Sequence, residues 1–133
     1  MTASFLLTGC GGSPAAVPPS GIALVSHVQV LQTNTSSAID TTGATLLVAH
    51  SGGLFANTHG VPSDSKGNTW VALTEQNGGT SGNYTNIYYV INPTVGSGHT
   101  FTGNAGSVGL TQVAAFSGVN TVAPFDSGKE NGF

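Results

Sequence analysis

Apolar residues arrive along this chain in short clusters, each closed by Gly, Asn or Pro, and none sustains the period of a capped helix. From Gly21 onward the clusters are rich in Val, Ile, Thr and aromatic residues. This pattern predicts strands over residues 22–31, 45–50, 54–61, 69–75, 84–91, 99–102 and 109–116. Their spacing suits an all-β fold, an antiparallel β-sandwich or jelly-roll-like arrangement. Residues 84–91 carry apolar or aromatic side chains on both parities, Ile87, Tyr89 and Ile91 against Tyr84, Tyr88 and Val90. Both faces of that strand are therefore expected to be covered, either because it is central or because it lies under an intersubunit contact.

Two joints carry recognisable turn chemistry. In Asp64-Ser65-Lys66-Gly67-Asn68 an Asx side chain can cap the turn while Gly67 accepts a positive φ, which predicts a hairpin with Val61 and Trp70 on antiparallel neighbours. In Asn92-Pro93-Thr94-Val95-Gly96-Ser97-Gly98, Pro93 removes a ladder donor and ends the strand before it, again as in a hairpin. Trp70 is expected in the core. Asp64, as a turn cap, is expected to be much cheaper to remove.

Composition narrows the class. The chain has 133 residues, of which 20 are Gly, 5% are charged and only Lys66 and Lys129 carry a fixed positive charge. A length of this order makes one domain with one core. The formal net charge is −3, and no segment gathers the basic residues that a phosphate backbone or an anionic membrane surface needs. A nucleic-acid partner is excluded on that ground, and no run reaches the roughly 20 apolar residues of a membrane span. Hydroxyls and amides replace charge as the solvating groups, as suits an exposed protein that assembles or adheres.

The amino-terminal part reads differently. Residues 11–20 hold Pro14, Pro18 and Pro19 among small residues and form a linker, so residues 1–20 are an apolar arm with its Pro/Gly linker and residues 21–133 the sandwich domain. Leu7-Thr8-Gly9-Cys10 resembles the box of a bacterial lipoprotein signal, which implies lipid attachment at Cys10. No basic residue precedes it, and the apolar stretch falls short of a full signal core. The other reading is an assembly arm carrying Phe5, Leu6 and Leu7.

Four residue series resemble a β-sandwich module that recurs in phage virion and fibre proteins and in secreted bacterial surface proteins. They are Ser37-Ala38-Ile39-Asp40-Thr41-Thr42-Gly43-Ala44-Thr45-Leu46-Leu47-Val48, Ser63-Asp64-Ser65-Lys66-Gly67-Asn68-Thr69-Trp70-Val71-Ala72-Leu73, Ile87-Tyr88-Tyr89 with Asn92-Pro93, and Ala114-Ala115-Phe116-Ser117-Gly118-Val119. The resemblance implies architecture and exposure, and it brings no catalytic residues. Such modules continue past a segment like residues 126–132, which implies a sheet edge closed by a strand from a neighbouring chain, either its arm or its own edge.

Candidate chemistry is thin. His27, His50, His59 and His99 with Asp40, Asp64, Asp126, Glu75 and Glu130 make up the acid, base and metal inventory. His50-Ser51-Gly52-Gly53 lacks the nucleophile elbow of a hydrolase, Asp64 with Glu75 is not a recognisable glycosidase pair, and Lys66 spoils residues 64–68 as a calcium loop. Cys10 is the sole cysteine and completes no zinc spacing. The expectation is no cofactor, no metal and no catalytic residue. Tyr84 and Tyr88, beside the Gly- and Asn-rich stretch 77–83, are the candidate contacts for a ligand or partner.

Two functions fit these readings. The first is a non-enzymatic, self-associating structural module on a virion surface, a capsid decoration or fibre component whose partners are copies of itself or a shell. The second is a bacterial cell-surface lipoprotein, anchored through Cys10, whose sandwich binds glycan.

Overall fold

The structure, a computed structural model, describes residues 21–32, 34–53, 60–77, 82–103 and 109–122. Among these residues the chain is all β. The strands are β1 (Ala23–Leu31), β2 (Leu46–Gly53), β3 (Ser63–Asp64), β4 (Val71–Ala72), β5 (Gln76–Asn77), β6 (Tyr84–Ile91), β7 (Phe101–Thr102) and β8 (Gly109–Ser117). The larger sheet runs β1-β8-β2-β6, with β4 and β5 sharing the far edge of β6, and all its pairings are antiparallel. The smaller sheet pairs β3 with β7. Residues 34–41 extend this second layer through bridges from Thr35 to Thr102 and from Ile39 to His99.

The pairings are nested. β1 pairs with β8, residues 34–41 with the β7 region, and β2 with β6, so the chain resembles one long hairpin wrapped into two layers. The two layers are those of the antiparallel β-sandwich expected from the spacing of the apolar clusters. Period-two alternation builds the core between the layers. Leu47, Ala49 and Ser51 of β2, Tyr84, Asn86, Tyr88 and Val90 of β6, and Thr111, Val113 and Ala115 of β8 turn inward, and Phe101 and His99 meet them from the second layer. β6 lies inside the sheet, but the expectation that both its faces are covered is corrected: the parity of Tyr84, Tyr88 and Val90 is buried, whereas Ile87 on the other is exposed.

The turn at 64–68 corrects the hairpin expectation. Gly67 does sit at φ 73° and Asp64 Oδ1 does accept from Lys66 N at 2.9 Å. However, Ser63 and Asp64 pair with Thr102 and Phe101, whereas Val71 pairs with Tyr89 in the other sheet. The turn is a corner between layers, and Val61 and Trp70 are not neighbours on a ladder. Residues 92–98 make a second corner, leading from β6 to β7. The two corners are stitched together: Asn68 Nδ2 donates to Thr94 O at 3.0 Å, and Thr94 N donates to Asn68 Oδ1 at 2.7 Å.

Of the strand expected over 69–75 only β4 is strand, and β5 follows beyond the expected end. Between the pairs Ala72–Tyr88 and Gln76–Thr85 the edge carries one residue more than β6 does, which is a bulge. Of the strand expected over 54–61, residues 54–59 lie outside the described residues, and Gly60 and Val61 are not in a strand. Phe5, Leu6, Leu7 and Cys10 also lie outside the described residues.

Candidate functional site

The sequence-level candidates Tyr84 and Tyr88 belong to the inward parity of β6, and the structure buries both. Their rings therefore offer no stacking face, which corrects the exposure expected of them. Burial pushes both phenols above their ordinary pKa, and the Glu75 carboxylate adds to the rise. Ser51 is also buried, its hydroxyl 3.1 Å from that of Thr111. Beside this pair, Asn86 Oδ1 is a buried acceptor without a partner.

Two features stand out, one inside the sandwich and one on it. Inside, Asp64 is the hub of a polar cluster that the sequence did not announce. Its Oδ1 accepts from Lys66 N at 2.9 Å, Asn68 N at 3.4 Å, Asn68 Nδ2 at 3.1 Å and His99 Nε2 at 3.1 Å, and its Oδ2 accepts from Trp70 Nε1 at 2.9 Å. Burial raises the pKa of this carboxyl, but the bonds from His99, Trp70, Lys66 and Asn68 outweigh that effect and hold it below its ordinary value. On the far side of the imidazole, His99 Nδ1 lies 2.9 Å from Thr41 Oγ1, which also accepts from Gly96 N at 3.1 Å. Thr41 Oγ1 also donates to Gly96 O at 3.2 Å, so the hydroxyl is held between the imidazole and the backbone of residue 96.

Carboxylate, imidazole and hydroxyl in series have the order of a catalytic relay. Here the Asp64 and His99 side chains are 0% exposed and Thr41 is 0% exposed, so the hydroxyl meets no substrate. The imidazole stacks on Phe101 with centroids 4.3 Å apart, and Phe101 meets Trp70 edge-on at 6.3 Å. The cluster ties both corners and residues 34–41 together.

The second feature is the outer face of the larger sheet. The register places four rows of side chains there: Leu24, Phe116, Leu46 and Ile91; His27, Ala114, Val48 and Tyr89, continued by Val71; Gln29, Gln112, His50 and Ile87; and Leu31, Leu110, Gly52 and Thr85. None of these residues is Asp, Glu, Lys or Arg. Leu24 is 54% exposed, Leu31 59%, Val71 45% and Ile87 42%. Single exposed apolar residues are ordinary, but a contiguous apolar face marks an interaction surface. A hollow of about 730 Å³ lies on this face, lined by Leu24, His27, Val48, His50, Gln112 and Phe116 among others.

Among the described residues no group of His, Cys, Asp and Glu is placed to hold a metal ion. No helix there is long and apolar enough to cross a membrane. Comparisons with family models, curated protein sequences and solved structures return no match, so the geometry of the fold carries the functional argument.

Proposed function

We propose that this chain is a non-enzymatic structural module that self-associates on an external surface, as a capsid decoration or fibre component of a virion. The observation that carries the reading is the exposed, charge-free outer face of the larger sheet. A lone sheet of this kind leaves apolar area in water that association with a like surface removes. The low charge of the whole chain supports the same reading, since copies of it repel one another weakly. The glycan-binding lipoprotein reading is not carried further, because Cys10 lies outside the described residues and the two tyrosines are buried.

Sedimentation velocity of the full chain over a range of concentrations tests self-association. Sedimentation of native particles, with detection of the chain by mass spectrometry, tests the virion assignment. Dimers or larger species that grow with concentration, and recovery with the particles, are the expected results. A monomer at every concentration counts against the reading.

A further inference from the structure

We propose that two copies of this chain pack face to face through the outer side of the larger sheet, about a two-fold axis that runs along β2. This rests on the self-association reading and specifies which surface and which symmetry serve it.

The face is uneven in a way that fits its own copy. The hollow lies over β1, β8 and β2, whereas the exposed side chains Ile87 and Val71 stand on the other side of β2, on β6 and β4. A two-fold axis parallel to the strands and lying between the two sheets exchanges left and right across β2 and keeps position along the strands. Each copy's Ile87 side then stands over the other's hollow, twice in one isologous contact. The register makes this definite. His50 on β2 pairs with Ile87 on one side and with Gln112 on the other, so an axis over β2 sets Ile87 of one copy above Gln112 of its partner.

Charge permits the arrangement. The described fixed charges are elsewhere: Asp64 is in the hub, Lys66 reaches Ser97 O at 3.2 Å, Asp40 is held by Thr42, and Glu75 acts on Tyr84 and Tyr88 on the inward parity. No described charge of either sign therefore meets its own image across the axis. Size permits it too. Five strand widths at about 4.8 Å and eight residues at about 3.3 Å give a footprint of about 600 Å² per copy. The two copies together reach about 1,200 Å², the lower end for a stable specific interface.

The edges of the sheet compete poorly for the same role. β1 carries a register shift between Leu24 and Ser26, and the opposite edge is the bulged pair of two-residue strands β4 and β5. Bulges and short strands are what keep sheet edges from pairing with other chains. The outer face is left as the broad surface without fixed charge that no described residue covers.

The test uses two single substitutions in the full chain, Ile87→Lys and Gln112→Glu, each at an outward-facing position, with thermal denaturation to show that the fold is kept. Each alone should weaken the dimer roughly tenfold or more, because it brings an unpaired charge into a desolvated contact where no described fixed charge faces it. Mixing the two variants should restore association as a one-to-one heterodimer, since the introduced cation and anion then face each other once while the second contact stays native. Sedimentation that is unchanged in I87K overturns the face while leaving self-association standing, and loss of the assembly on deleting residues 1–20 in that case assigns it to the arm. Weakening by both variants without recovery on mixing overturns the two-fold geometry. A wild-type chain that stays monomeric overturns this proposal and the self-association reading together, and binding of a solvatochromic apolar dye by that monomer gives the face to another occupant.

Discussion

The indole Nε1 of Trp70 donates to Asp64 Oδ2 at 2.9 Å, so the core aromatic and the turn carboxylate form one unit. Trp70→Ala should cost about 3–5 kcal/mol, the range for deleting a large buried aromatic. Asp64→Ala should cost a similar amount, because it strands the donors of Trp70, His99, Lys66 and Asn68 together, at about 1–3 kcal/mol for each buried donor left unpaired. This removes the difference in cost that the turn alone suggests. Urea denaturation of the two variants measures it, and an Asp64→Ala loss below about 1 kcal/mol would return Asp64 to the status of a simple cap.

Acid should unfold the protein through the same carboxylate. Asp64 is held below its ordinary value of 3.8, so the folded state binds the proton less readily than the unfolded state. Its contribution is complete above pH about 4 and is lost as the pH falls below that. Stability measured from pH 6 downward should drop along this limb, and Asp64→Asn, less stable at neutral pH, should drop less steeply. Parallel limbs for the two proteins would remove Asp64 from the explanation.

Thr41 is the far end of the relay, and its hydroxyl serves both His99 Nδ1 and Gly96 N. Thr41→Val keeps the shape but leaves two buried polar groups unpaired, at about 1–3 kcal/mol. Thr41→Ser keeps the hydroxyl and should recover most of that. The pair of variants separates hydrogen bonding from packing, and equal losses would assign the effect to the missing methyl group instead.

Salt should hardly affect the association of copies. The outer face holds no fixed charge, so there is little Coulomb attraction or repulsion to screen. Dimer affinity followed by sedimentation from low to physiological salt should stay flat. A tenfold fall would point to a charged surface elsewhere as the contact.

How far the sequence foretold this arrangement depended on the range of each interaction. β6 was legible to its last residue because alternation is a local signal and both of its parities are apolar. β1, β2 and β8 were legible within a few residues for the same reason. The turn at 64–68 was legible as a turn, but not as a corner, since nothing within it tells which sheet each arm will join. The hub was missed because His99 reaches Asp64 across 35 positions of sequence and Thr41 reaches His99 across 58. One clue was present: His99 shares the parity of Phe101, so a strand there must bury an imidazole, and a buried imidazole needs partners. The exposed face could not be read from alternation, which marks two apolar parities as covered without saying by what.

The nested pairing also dictates an order of events when the chain is made. Among the described strands β1 is synthesised first, yet the partner it pairs with there is β8, the last of them, and Ala23 meets Ser117 only after nearly all the described chain exists. Until then β1 waits with Leu24, Val28 and Leu31 unsheltered, a condition that favours contact with other nascent chains. Pairings so distant in sequence also close slowly. The innermost corner at 64–68, whose bonds to Lys66, Asn68 and Trp70 span at most six positions, is the part able to form early and zip outward from.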